Sequence, residues 1–373
     1  MNVTVVKKIC IYCEKWSTGG IESFIASMIQ NMDVTDFHID LVCSCVENSP
    51  FAETLRTRGV MIHVLSGNRN RILSNRKLFL ALMKKRRYDV LHVNAFHGAE
   101  LYYLSLGKKL GIPQRIAHAH NSMLKKSWLS TFKLAIHNIG KMMYAKCGTD
   151  LWACSEVAAH FLFPKNLWNG VAIVPNGIDV HRFEFSDERR RNARATWGIR
   201  DEIVLGSAGR LCQQKNQRFV LEIFNLFLTR HPDSKLLLVG DGEEKALLIR
   251  QAKELGIRQK VIFTGFIPNV EDLLCAMDVF LFPSVFEGLG IAAVEAQATG
   301  LPVICSEQVP IEAMLLPNAR RISLKADVEQ WVQAVEAACN LSDMREGCAT
   351  AVKDRGYDMR DVAAMIHDAY GET

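Results

Sequence analysis

Short apolar runs alternate almost throughout this chain with segments whose apolar residues recur every three or four positions, and nothing else restricts its fold so tightly. In the first half the short runs are KICIYCE, HIDLVCS, MIHVLS, DVLHVN, RIAHAH and DLWACS; in the second they are IVLGSAGR, KLLLVGD, VIFTGF, VFLFP and PVICS. Each has strand length, while intervening stretches such as QRFVLEIFNLFLTRH and VEDLLCAMD carry the helix period. Strand, helix and strand in repeated succession call for crossover connections, which build parallel, doubly wound sheets with helices on both faces. The expected class is α/β with two Rossmann-like domains, since 373 residues exceed what one ordinary core organises.

The two series are separated by FEFSDERRRNARATWGIRDE, residues 183–202, a charged stretch that follows the turn VPNGID. This places one domain at 1–182 and the other at 183–356, with an amphipathic helix over 357–373 after the last repeat. Hydrophobic residues at 49% and charged residues at 23% exclude a disordered chain. Eleven cysteines without a framework of spacings predict reduced thiols in a cytosolic protein. Cys10 and Cys13 fall in a strand-like run, where residues three apart point to opposite faces, so they are not expected to share a zinc ion. No run of eighteen apolar residues occurs, and Lys7 and Lys8 interrupt any signal-like core, so a chain that neither spans a membrane nor is exported is expected.

Ligands of open α/β sheets bind beyond the carboxyl ends of the strands, and two facing sheets make the gap between domains the natural site. After the first strand, STGGIES puts Gly19 and Gly20 at the start of a helix, whose free N–H groups can receive a phosphate, or which only needs a tight turn. After the fifth, AHAHNS sends His118 and His120 to the same face; His118 reads as a hydrogen-bonded sheet residue and His120, at the strand end, as reachable by a ligand. In the second half, GSAGRLCQQKNQRF offers Arg210 and Lys215 on a loop before a helix, two cations that suit a diphosphate or are solvated surface charges.

The stretch PSVFEGLGIAAVEAQATGLPVICS holds Glu287 and Glu295 around a GLG turn. Were helix to run through all eight steps, about 12 Å would separate them, more than the gap of about 5 to 9.5 Å that a glycosidase's two carboxyls need. A sugar nucleotide has hydroxyls at both ends and a diphosphate between, so two acceptor carboxylates and the turn's N–H groups match it. A helix N-terminus decorated with favourable acids explains the same residues.

These motifs together resemble glycosyltransferase family 4, with the GT-B fold, and within it the transferases of bacterial capsule and exopolysaccharide assembly. The resemblance runs over nearly the whole chain through GGIES, HNS, GRLCQQKNQ, VGDGEE, VIFTGF and the long block with its two glutamates separated by seven residues. It implies a retaining hexosyltransferase that uses a nucleoside diphosphate sugar, expected to be a UDP-sugar, and a saccharide or polyprenyl-diphosphate-linked saccharide as acceptor. By position, Glu287 would bind donor-sugar hydroxyls, Gly288, Leu289 and Gly290 would give backbone N–H groups, and Glu295 would hold the ribose. Arg210 and Lys215 would neutralise the leaving diphosphate, Gly20 would lie against phosphate, His120 would face the donor sugar, and Phe266 and Ile267 would lie near the base. The terminal helix would cross back onto the first domain. No two aspartates are separated by one residue, so the Asp-x-Asp device for a metal-bound donor is absent and neither metal nor other cofactor is expected. GLG stands where larger or aromatic residues are frequent in the family, which bears on donor identity.

From Arg71 to Lys146 there are fifteen Lys and Arg against two acids, so one half is strongly basic although the whole chain carries only +5. NSMLKKSWLSTFKLAIHNIGKMMYAK mixes Lys125, Lys126, Lys133, Lys141 and Lys146 with Trp128, Leu129, Phe132, Leu134 and Ile136, and KKRR at Lys84 to Arg87 adds charge. A core helix with a solvated lysine face and a helix lying on an anionic membrane both fit; nucleic acid is not expected, for want of a stacking platform or motif. The favoured placement is cytoplasmic and peripheral, at the inner face of the cell membrane. A sugar-nucleotide epimerase of the same fold, and a sugar-nucleotide-binding partner subunit without catalysis, are the rival readings.

Overall fold

The strand-length runs become strands of two parallel sheets in a computed structural model that describes residues 6–17, 19–47, 49, 51–124, 130–341 and 345–372. The chain divides into two compact units, residues 1–177 with 359–373, and 178–358. The first junction lies five residues before the expected one because the backbone of Ile178 pairs with the second unit: its N–H donates to the carbonyl of Tyr357 at 2.8 Å and it bridges to Asp358.

In the first unit the strands are β1 (Lys7–Trp16), β2 (Phe37–Val46), β3 (Met61–Val64), β4 (Val90–Ala95), β5 (Gln114–Ala119), β6 (Asp150–Ala153) and β7 (Val171–Ile173). They pair in parallel in the order β3-β2-β1-β4-β5-β6-β7. The chain winds outward from β1 to β3 and returns on the other side of β1, so the order reverses between β1 and β4. The terminal helix Met359–Gly371 packs against helix Gly20–Asn31, placing Met359, Val362, Ile366 and Tyr370 in one core with Ile9, Phe24, Ile25, Met28 and Leu41. Its last carbonyls are held from the sheet: Lys7 Nζ donates to Gly371 O at 2.7 Å and Gln114 Nε2 to Ala369 O at 3.0 Å.

The second unit contains β8 (Ile203–Ala208), β9 (Ser234–Val239), β10 (Val261–Gly265), β11 (Val279–Phe282), β12 (Val303–Ser306) and β13 (Ala319–Ile322), all parallel in the order β10-β9-β8-β11-β12-β13. Here the reversal falls between β8 and β11. The charged stretch after residue 183 is not a bare linker: it forms helix Asp187–Thr196, whose Arg190 and Arg194 grip Asp278 at 2.6 and 2.8 Å, while Val204 N–H donates to the same carboxylate at 2.8 Å. Two strands, β7 and β13, were not among the expected runs. Their three- and four-residue sequences, VAI and ARRI, end their sheets with mostly solvent-facing side chains, so neither shows the continuous apolar signal of an inner strand. All eleven cysteines are free thiols, in keeping with the scattered spacings.

Candidate active site

In the second unit the loops after β8 and β11 meet at the reversal of strand order, the place where open α/β sheets hold ligands. The loop after β9 needs glycine where it touches the loop after β8: a Cβ on Gly240, whose φ is +128°, would lie 2.1 Å from the carbonyl oxygen of Gly209. Backbone and side-chain bonds then tie the loop after β8 to the one after β11. Val285 N–H donates to Gln214 O at 2.8 Å, Gln214 Nε2 to Phe286 O at 3.0 Å, and Asn216 Nδ2 to Pro283 O at 3.1 Å.

This lacing brings Lys215 and Glu287 together, with Nζ 2.7 Å from Oε1. Both are largely buried, at 19% and 8% side-chain exposure, and the ammonium also stands 4.6 Å from the centre of the Phe282 ring. A cation and a carboxylate held in reduced dielectric interact strongly, and either can exchange its partner for a ligand group of matching charge or hydrogen-bonding character. Arg210 is elsewhere: its side chain is 68% exposed and its Nε lies 3.0 Å from Glu243 Oε2, so the structure does not place the two expected cations on one spot. The reason is direction, since Arg210 leaves the loop's outer side while Lys215, at the foot of helix Gln217–Arg230, turns inward.

Gly290 begins helix Ile291–Ala298 with φ +94°, a conformation that glycine adopts without strain. Leu289 is buried, so only its backbone is offered to a ligand, and Gly288 is partly exposed. Glu295 lies on this helix, and loss of hydration pushes its carboxyl up to about 7, with Arg182 pulling the other way and Glu271 adding to the rise. Arg182 in turn binds Glu271 at 2.9 Å. Neither was singled out from the sequence; Arg182 follows the NGID turn, which read only as a domain junction. Phe266 is 61% exposed beyond β10. Ile267 instead lines a cavity of about 300 Å³ beside helix Asp187–Thr196, with Trp197, Pro268 and Leu273.

In the first unit, Gly20 has open space where a Cβ would stand, so a ligand can approach its backbone. The neighbouring Glu22 already occupies part of that helix start, accepting from Ser17 N–H at 3.1 Å and Ser17 Oγ at 2.8 Å. His120 is 8% exposed, with Nε2 2.9 Å from Asn94 Oδ1, and burial lowers its pKa to about 3, so it is a neutral imidazole. His118 is fully buried and bonded to His92. Glu14, His97 and Glu100 place their ligand atoms within 4.8 Å of one another. Burial pushes Glu100 up and His97 down; Glu100 Oε2 accepts from Phe96 N–H at 2.7 Å, while Glu100 Oε1 and His97 Nδ1 are buried with no hydrogen-bond partner among the described residues.

Of the basic segment, Lys125, Lys126, Trp128 and Leu129 lie outside the described residues. The rest forms helix Ser130–Tyr144, which buries His137 and turns Phe132, Leu134, Ile136, Ile139, Met142 and Met143 to solvent. No helix among the described residues is long and apolar enough to cross a membrane.

Two family models match the chain, "Glycosyltransferase Family 4" over residues 18–182 and "Glycosyl transferases group 1" over 189–355. The chain is 28% identical over 360 residues to EpsF of Bacillus subtilis, to which glycosyltransferase activity has been ascribed, covering 94% of this chain and 92% of that protein. It is 27% identical over 299 residues to the UDP-Gal:α-D-GlcNAc-diphosphoundecaprenol α-1,3-galactosyltransferase of Escherichia coli, covering 77% and 76%. Among solved structures, HepE of Anabaena in complex with UDP and glucose superposes with a TM-score of 0.81 at 16% identity, over 98% of this chain and 100% of that one.

Proposed function

Because this chain belongs to glycosyltransferase family 4 and has the GT-B fold, we propose that it is a retaining, metal-independent hexosyltransferase that uses a UDP-sugar and a lipid-linked saccharide in capsule, exopolysaccharide or O-antigen assembly. The observation that carries this reading is the Lys215–Glu287 pair at the reversal of the second sheet. UDP as the nucleotide and a diphosphate-linked acceptor are supported by what the galactosyltransferase and HepE are named as using or binding.

In the reaction the bond from the sugar's anomeric carbon to the diphosphate oxygen breaks. A new bond to the acceptor hydroxyl oxygen forms on the same face, and the hydroxyl proton passes to the departing phosphate oxygen. Lys215 stabilises the charge that grows on that phosphate, which frees Glu287 to accept from donor-sugar hydroxyls. Arg210 adds a second cation by leaving its exposed partner Glu243. Backbone N–H groups of Gly288, Leu289 and Gly290 receive the donor, Glu295 accepts from the ribose, and Phe266 borders the base. In the first unit, His120 is the residue assigned to sugar.

Helix Ser130–Tyr144 supports an acceptor held at a membrane. Phe132, Ile136, Ile139 and Met143 stand at i, i+4, i+7 and i+11, one exposed apolar stripe beside Lys133. Anionic lipid is the occupant that matches both the stripe and the basic charge around it.

The test is a transfer assay with a panel of nucleotide sugars and lipid-linked acceptors. Lys215→Ala and Glu287→Ala are expected to lower kcat by about 10²–10³-fold, the usual cost of one such electrostatic contact, and EDTA to leave turnover unchanged. Full activity in both variants would reject the assignment. Donor isomerised without acceptor would indicate the epimerase, and donor bound without turnover the non-catalytic subunit.

A further inference from the structure

Three histidines lie side by side inside the first unit, one from β4 and two from the end of β5. His92 Nδ1 is 2.6 Å from the hydroxyl of Tyr370 on the terminal helix, and His92 Nε2 is 3.2 Å from His118 Nδ1. The rings of His92 and His118 stack at 15° with centres 5.3 Å apart, and His118 in turn stands 4.0 Å from His120. Trp152 presses its edge on the first two and Phe24 lies against the last two.

Burial keeps all three rings neutral, with His92 and His120 lowered to about 3 and His118 lowered well below its usual range. A neutral imidazole carries one N–H, so a string of hydrogen bonds through it has a direction. Burial also holds the Tyr370 hydroxyl protonated, and it can donate to His92 Nδ1. His92 then keeps its proton on Nε2 and donates to His118 Nδ1, which puts the proton of His118 on Nε2, a buried nitrogen with no hydrogen-bond partner among the described residues, although the nearby backbone of Val174 favours a proton on this ring. His120 Nε2 lies 2.9 Å from Asn94 Oδ1, while its Nδ1 is buried with no hydrogen-bond partner among the described residues, and the side chain of Asn176 bears on the same ring. Apolar side chains could fill the same inner positions with no polar group to satisfy, so the string costs desolvation that packing alone does not require.

We propose that Tyr370, His92 and His118 are positioning residues for His120: the hydrogen-bonded string fixes the tautomer and tilt of His118, whose ring lies against His120 and sets the orientation in which it meets the donor sugar. The proposal rests on the reading of His120 as a sugar-contacting residue. It gives the last helix of the chain a part in the chemistry besides closing the core.

Tyr370→Phe keeps the ring and removes only the donor. The experiment combines imidazole ¹⁵N NMR of the full chain with donor kinetics in the two-substrate assay. Expected are an exchange of Nδ1 and Nε2 character at His92 and His118, and a fall in kcat of about tenfold, the size typical for outer partners of functional histidines, with donor KM within twofold. His92→Leu, which breaks the string at its centre, should give a similar kcat and serves if Tyr370→Phe does not fold. A lowered melting temperature with kcat unchanged in these variants would make the string merely structural and overturn the proposal, as would ¹⁵N signals that do not move. Should the parent protein transfer no sugar, the functional reading fails separately, because the tautomers are read without turnover.

Discussion

Glu295 sits on helix Ile291–Ala298 with its carboxyl raised to about 7 by lost hydration, against the pull of Arg182. The unfolded chain releases that proton near the ordinary 4.5, so the folded state binds it more tightly. The resulting stabilisation is complete below pH 4.5, declines as pH rises, and is gone above pH 7, where the ionised group carries its full desolvation cost. Glu295→Gln is therefore expected to melt higher than the parent at pH 8, by on the order of 2 kcal/mol, with the gap closing at pH 4.5; scanning calorimetry at both pH values checks it, and a variant less stable at pH 8 would contradict it. At this scale the sequence disclosed residue types better than partners. Lys215 and Glu287 were each legible from strand-end position, but their contact depends on loops tied together from β8 and β11, 72 residues apart. Arg210 looked equivalent to Lys215 because spacing along a loop says nothing about which side of it a long cation leaves.

Helix Ser130–Tyr144 rests on the turn Gly98–Leu101 through two glycines. A Cβ on Gly140 would lie 2.5 Å from backbone atoms of Gly98, and one on Gly98 would lie 2.2 Å from His137 O. Gly140→Val should push the helix from its seat at a cost of about 1–3 kcal/mol, read as a lower urea midpoint; an unchanged midpoint would show that the turn can yield. The outward stripe gives a separate expectation. Phe132→Glu with Ile139→Glu should abolish cosedimentation with phosphatidylglycerol vesicles and leave the melting temperature within about 2 °C, since exposed substitutions seldom cost more than about 0.5 kcal/mol. Binding that survives in the double variant would count against the membrane reading. Elements were legible where the sequence carries a short apolar run, which covers eleven of the thirteen strands, the less buried β3 and β10 included. Amphipathicity alone left helix Ser130–Tyr144 open, because an apolar stripe looks the same whether it meets a core or a bilayer.

The chain leaves its first unit at Gly177 and comes back to it at Met359, so the order of the sequence and the order of folding units differ. The returning helix is structural to the first unit: Met359, Val362, Ala363, Ile366 and Tyr370 are all at most 2% exposed. At about 1.5–3 kcal/mol for each of the larger four, their burial is comparable to the roughly 5–15 kcal/mol that holds a typical domain folded. Ending the chain after Asp358 removes that contribution and the Tyr370 hydroxyl but no residue of the second unit, whose own core is built around Phe224, Phe227, Leu236, Leu238 and Trp331. The expectation is selective unfolding. Hydrogen exchange of the truncated chain should show β1, β4 and β5 unprotected while β8, β9 and β11 stay protected, and UDP should still slow exchange near Lys215 and Glu287. Uniform loss of protection in both units would mean that the second does not fold alone, and unchanged protection in the first would mean that its own helices suffice to close its core.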